Sequence, residues 1–250
     1  MDPHDQSPDL RWHTTPLGAV PVATRFDDPY FSLDGGLAET GHVFHGGNDL
    51  PGRFRDGFAI AELGFGTGLN LLATVALWHG TGAEGRFRYT SFEAYPMTAD
   101  QMAAALAAFP VLAEWACDLI AAVGSGKTGF ALGAADVNLV LGDAGQTLPH
   151  WHSRADAWFL DGFSPARNPE MWSLDLMAAV ARHTVPGGSF ATYTAAGDVR
   201  RGLQAAGFQV QRVAGYGRKR HMTRGWLAMA GAQGPQLGPH LGPQPEPEPE

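Results

Sequence analysis

From Phe58 onward, short apolar runs alternate with stretches in which apolar residues recur at helical spacing. Strands that read as continuous apolar runs, separated by helices, build βαβ units and a largely parallel sheet covered on both faces. The pattern predicts strands over residues 58–63, 87–92, 137–141, 157–160 and 189–193. Helices are predicted over 69–78, about 98–108, 111–123 and 171–183, and along a face made by Val199, Leu203 and Ala206 that Gly207 stops. Two final strands, 208–213 and 224–229, flank a basic segment at 215–223 that is short enough for an antiparallel hairpin. The expected fold is α/β: a doubly wound, Rossmann-like sheet of seven mostly parallel strands with an antiparallel last strand.

The segments outside this pattern set the domain limits. Residues 231–250 are Gly, Pro, Gln and Glu with almost nothing to bury, so a disordered tail is expected there. Residues 1–20 read as an N-terminal extension and 21–230 as one domain, a size that suits a single core. The polar, acidic N-terminus has no apolar core, and no run of about 18 apolar residues occurs, so no membrane partner and a cytoplasmic location are expected. The lone Cys117 allows no internal disulfide and reads as buried filler.

Charge changes the picture less than its distribution does. The net charge of −8 argues against a polyanionic partner. Seven basic residues and no acidic one nevertheless fall between Val199 and Ala230. A local positive face for nucleic acid therefore stands beside the plainer reading of a solvated basic helix face and hairpin.

Candidate chemistry gathers at the predicted strand ends. The loop Glu62-Leu63-Gly64-Phe65-Gly66-Thr67-Gly68-Leu69-Asn70 joins the first strand of the pattern to its helix. Glycines there let the backbone turn sharply and let a ligand approach closely. A dinucleotide fingerprint needs its third glycine at position six, which is Leu69, and an acid about 20 residues on, whereas Glu93 lies 29 beyond Gly64. Both departures suit S-adenosyl-L-methionine, which has no pyrophosphate to cradle. Glu93 would accept from the ribose hydroxyls, and Asp143 with Ala144 would face adenine. Asp161, ending the fourth strand, would face the sulfonium and orient an incoming amine or take its proton, with Phe163 packing against it. Each of these acids has a plainer reading as a loop or helix cap. Gly126-Lys127-Thr128 lacks the glycine of a phosphate loop, and the His42/His45 and His150/His152 pairs lack further ligands, so no metal is expected.

Several runs now show a resemblance: ELGFGTGLNLL, SFEAYPMT, DAWFLDGFSPARNPEMW, PGGSFATYTAAGDVRRGLQAAGF and GYGRKRHM, with FDDPYFSLDGGLAETGHVFHGGNDLPGRF ahead of them. From about Pro21 to about Met229 the chain resembles the methyltransferase domain of the bifunctional MnmC family of tRNA-modification proteins. The resemblance implies transfer of a methyl group from S-adenosyl-L-methionine to 5-aminomethyl-2-thiouridine at the tRNA wobble position, giving 5-methylaminomethyl-2-thiouridine. It implies a cofactor site at Glu62, Gly64, Phe65, Gly66, Thr67, Gly68, Asn70, Glu93, Asp143, Ala144 and Asp161, with Asp161 beside the amine. Residues 31–54 would fold over the site, and Arg167, Arg218, Lys219 and Arg220 would meet the anticodon loop. The family's long form continues into a flavin-dependent oxidase; here no FAD is expected, and a separate FAD-dependent oxidase would supply the amine. A methyltransferase of small amines or another RNA, and a non-catalytic partner of an oxidase, remain alternatives.

Overall fold

The computed structural model describes residues 7–16, 18–33 and 35–228; the expected tail lies outside them. Eight strands form one sheet, in the order β10-β11-β9-β8-β4-β5-β7-β6. They are β4 (Ala59–Leu63), β5 (Phe87–Glu93), β6 (Gly129–Leu132), β7 (Ala135–Leu141), β8 (Ala155–Leu160), β9 (Thr184–Thr192), β10 (Phe208–Ala214) and β11 (His221–Leu227). Strands β9, β8, β4, β5 and β7 pair in parallel, and the last strand, β11, lies antiparallel between β9 and β10. All six residues of β8 are buried, because its two faces are both covered. Ala157 and Phe159 join Phe58, Ile60 and Tyr89 on one face, and Trp158 and Leu160 join Leu63, Phe92 and Phe190 on the other.

Helices supply the rest of both cores. On the first face lie α2 (Leu69–Thr81), α3 (Ala99–Leu106) and α4 (Ala113–Gly124); on the second lie α6 (Leu174–Arg182) and α7 (Gly197–Ala205). Their starts follow from capping chemistry: Thr98 and Gln101 form a reciprocal capping box before α3, and the Ser173 hydroxyl accepts from Leu176 N at the start of α6. Pro110 and Pro169 open short 3₁₀ turns ahead of α4 and α6, so both helices begin two to three residues later than their apolar spacing suggests. A four-residue helix, α5 (Ala144–Thr147), follows β7.

Three features depart from the sequence expectation. The sheet has eight strands, because β6 pairs antiparallel with β7 as an edge in which only Leu132 is buried. A second sheet of β1 (Leu10–Thr15), β2 (Gly18–Ala23) and β3 (Asp28–Pro29) stands at the N-terminus, and its middle strand runs across the boundary expected at residue 20. Val20 and Ala23 bury its inner side in the main core, and Gln101 on α3 donates to the Pro8 carbonyl at 3.1 Å. Cys117 is exposed, since α4 buries only Ala116 and Leu119 and position 117 turns outward. Between β3 and β4, α1 (Gly36–Thr40) continues as a π-helical turn over Gly41–Gly46.

Candidate active site

The sheet order places the crevice. From β4 the chain winds outward through β5 and β7, and from β8 through β9, so the strand order reverses between β4 and β8. Ligands of such sheets bind where the carboxyl ends of those two strands part. After β4 the backbone passes Gly64 and Gly66 at φ of 82° and 53°. A β-carbon at Gly64 would sit 3.3 Å from Gly162 Cα in the loop after β8, and one at Gly66 would sit 3.0 Å from the Tyr30 ring. Glycine is therefore what lets these segments close around a cavity of about 410 Å³.

The cavity has two ends. One is lined by Gly64, Phe65, Gly66, Thr67, Asn70, Glu93, Asp143, Ala144 and Asp161, the residues read from the sequence as a cofactor site. Glu93 accepts from Gly66 N through Oε2 at 2.9 Å and from Tyr95 N through Oε1 at 2.7 Å. Burial holds its carboxyl above the ordinary carboxylate range, against these N–H donors. Asp143 caps α5 by accepting from Gln146 N at 3.2 Å, so it both caps and lines the cavity.

Two residues of the expected set stand behind the cavity wall. Glu62 is fully enclosed: its Oε1 accepts from Asn70 Nδ2 at 2.9 Å and its Oε2 from Ser91 Oγ at 2.7 Å. Burial pushes its carboxyl well above the ordinary range. Gly68 faces the helices, where a β-carbon would lie 2.7 Å from Leu119, because α2 must start against α4.

Asp161 lies between the ends. Its Oδ1 accepts from Gly162 N and its Oδ2 from Asn70 Nδ2, both at 2.8 Å. Burial pushes its pKa up to about 6, with Glu39 adding to the rise and the Gly162 N–H, Asn70 and Lys219 opposing it. The Asn70 amide is oriented by Thr40, whose hydroxyl donates to Asn70 Oδ1 at 2.7 Å and so turns both N–H bonds to the two carboxyls.

The other end is aromatic. Phe163 stacks on Phe26 with ring centres 4.6 Å apart and meets the edge of Tyr30 at 5.1 Å. Asp28 Oδ2 accepts from Ser164 N at 2.7 Å, tying the N-terminal sheet to the loop after β8. Tyr193, just beyond β9, donates to the Gly162 carbonyl at 2.8 Å. Glu39 and Thr40 from α1 and Tyr216, Arg218 and Lys219 from the loop before β11 also line it. Glu39 and Thr40 belong to the 31–54 segment expected over the site, though neither was singled out; sequence reasoning missed Phe26, Tyr30, Tyr193 and Tyr216, of which Tyr193 carried a signal, its position at the end of a strand beside the crevice.

The basic residues separate. Arg218 and Lys219 line the cavity, while Arg220 is exposed outside it. Arg167 is away from the lining and paired with Asp27 at 2.6 Å, so it ties its loop to the N-terminal sheet. Arg224 points inward from β11 to Asp49 at 3.2 Å with its side chain 4% exposed, which removes it from any outer basic face. Among the described residues no three His, Cys, Asp or Glu side chains gather as metal ligands, and no helix is long and apolar enough to cross a membrane. His45 is a core residue, hydrogen-bonded to Thr74 at 3.0 Å and held neutral by burial, which lowers its pKa to about 4.

A family profile described as S-adenosyl-L-methionine-dependent methyltransferase matches residues 111–228. That match takes in just under half of the chain. The chain is also 44% identical, over 86% of its length, to the tRNA 5-methylaminomethyl-2-thiouridine biosynthesis bifunctional protein MnmC of Chromobacterium violaceum. It is 46% identical, over 82% of its length, to the protein of the same name from Aeromonas hydrophila. The chain spans 35% and 34% of the length of these two relatives. Among solved structures, MNMC2 from Aquifex aeolicus matches with a TM-score of 0.73 and 25% identity, covering 93% of this chain and 74% of that chain. The eight-stranded sheet with its antiparallel last strand is thus the Rossmann-like class I methyltransferase fold.

Proposed function

We propose that this methyltransferase converts 5-aminomethyl-2-thiouridine at the tRNA wobble position to 5-methylaminomethyl-2-thiouridine. The observation that carries the reading is the place of Asp161, a carboxylate of raised pKa where the glycine-cradled end of the cavity meets its aromatic end. The chemistry of the lining fits S-adenosyl-L-methionine. Gly64, Phe65, Gly66 and Thr67 give close backbone approach for its methionine part, Glu93 two acceptors for its ribose hydroxyls, and Asp143 with Ala144 a polar edge for adenine. Bound there, it supplies a methyl group on a sulfonium.

The residues of the chain then act on the amine. Its lone pair must be free and in line with the methyl carbon and sulfur, so the site has to favour neutral amine over ammonium. The cofactor held there would supply the methyl group to that nitrogen and keep the sulfur electron pair, and the surplus proton on nitrogen would pass to the Asp161 carboxylate. Phe26, Phe163 and Tyr30 offer the faces and edges on which a base flipped out of a single-stranded loop stacks. Arg218 and Arg220 are assigned to anticodon phosphates. The primary amine is supplied by an oxidative activity, and the FAD of such a step is given no place in this cavity.

The test is methyl transfer to tRNA carrying the aminomethyl base, by wild type and by the Arg218→Glu/Arg220→Glu double variant. Wild type labels the tRNA, and the double variant raises KM for tRNA about tenfold or more while the affinity for S-adenosyl-L-methionine stays the same. Label in free small amines, indifferent to the charge reversal, would contradict the RNA substrate.

A further inference from the structure

The basic stretch 218–220 reads from sequence as a run of phosphate contacts, but its middle residue is bound elsewhere. Lys219 Nζ donates to Glu39 Oε1 at 2.9 Å and lies 3.9 Å from the centre of the Tyr193 ring. The Glu39 side chain is only 12% exposed. Tyr193 in turn donates to the carbonyl of Gly162, whose N–H is held by Asp161. Lys219, Glu39, Tyr193 and Asp161 all line the same cavity. We infer that Lys219, held by Glu39 and Tyr193, is a positioning residue of the methyl-transfer centre and not a contact to RNA phosphate.

The inference rests on the reading of the substrate as an amine taken up at Asp161. The methylated group must arrive as neutral amine, and a fixed ammonium beside it disfavours a second positive charge on the substrate. The same ammonium favours the ionised form of Asp161, which is the form that accepts the proton. Glu39 works against both effects, and its pairing with Lys219 keeps it from repelling Asp161 unopposed. A phosphate that drew Lys219 outward would leave Glu39 enclosed without its partner. The remaining titratable groups that face Asp161 are Glu62 on β4, Tyr89 on β5 and Tyr193 after β9, with Asn70 of α2 as its neutral donor.

Two readouts test this. In the protein without RNA, the Asp161 carboxyl is followed by carbon NMR, assigned with Asp161→Asn. Its midpoint near pH 6 moves up in Lys219→Met, moves down in Glu39→Gln, and returns close to the wild-type value when both are combined. In single turnovers saturated with S-adenosyl-L-methionine and tRNA, Lys219→Met is about tenfold slower at pH 7, its acid limb follows the NMR midpoint, and Lys219→Arg recovers most of the rate. The tRNA Kd and its salt dependence stay within about twofold of wild type. A weaker tRNA Kd with a shallower salt dependence would make Lys219 a phosphate contact, and a lost rate with an unmoved Asp161 midpoint would make it merely structural; either overturns the inference. If wild type methylates no tRNA at all, the substrate reading fails by itself, and the NMR titration still decides whether Lys219 governs Asp161.

Discussion

The two N–H bonds of the Asn70 amide go to two carboxyls that burial treats alike and function separates. Glu62 is sealed, while Asp161 faces the cavity. Glu62→Gln can keep both contacts, with its carbonyl toward Asn70 and its amide donating to Ser91, and is expected to lie within about 0.5 kcal/mol of wild type. Glu62→Ala leaves the Asn70 and Ser91 donors buried without an acceptor and is expected to cost about 3 kcal/mol, read as a melting temperature lower by about 10 °C. Asp161 has the opposite signature: Asp161→Ala retains the fold and loses most turnover. Because its carboxyl is raised to about 6 and must be ionised to accept a proton, the saturated rate climbs with pH through about 6 and levels above it. An acid limb near 4 would show that another group takes the proton. Asp161, Glu93 and Asp143 were legible because acids at the carboxyl ends of parallel strands face the crevice. Glu62 was misread because one residue's difference in register decides between the cavity and the sheet interior, and sequence spacing does not fix that register. Cys117 was misread for the same kind of reason on a helix, where one position turns a side chain by about 100°.

At the scale of elements, the glycine loop and the segment over it form one device. Gly66 holds a left-handed φ beneath Tyr30, so Gly66→Ala adds roughly 1 kcal/mol of backbone strain and pushes the ring. Its melting temperature without ligand should fall by only about 3 °C, whereas its Kd for S-adenosyl-L-methionine should rise about tenfold or more by calorimetry. An unchanged Kd would remove the loop from the cofactor site. The parallel strands and their helices were legible because buried strands between helices leave a strong apolar rhythm. The N-terminal sheet and β6 left little trace: β1 alternates poorly and is largely exposed, β3 has two residues, and β6 buries a single leucine. That is also why Phe26 and Tyr30, carried by the turn before the short strand of that sheet and by the residue after it, escaped the reading of the site.

For the whole molecule, the acidic net charge conceals a division of labour among the cations. Arg224 is spent inside on Asp49, Arg201 pairs with Asp198 and Arg167 pairs with Asp27, while Arg218 and Lys219 are the residues of the basic stretch that line the cavity. Asp49→Ala strands the Arg224 charge in the core and is expected to cost about 3 kcal/mol by denaturant titration, with no change in the salt dependence of tRNA binding. A steeper salt dependence in that variant would show that the freed Arg224 reaches the RNA. The measurement that bears most directly on the central claim is nucleoside analysis after reaction of the protein with labelled S-adenosyl-L-methionine and tRNA from cells that make the aminomethyl intermediate but do not methylate it. The account predicts label in 5-methylaminomethyl-2-thiouridine alone; a protein that binds S-adenosyl-L-methionine yet leaves that nucleoside unlabelled would contradict it.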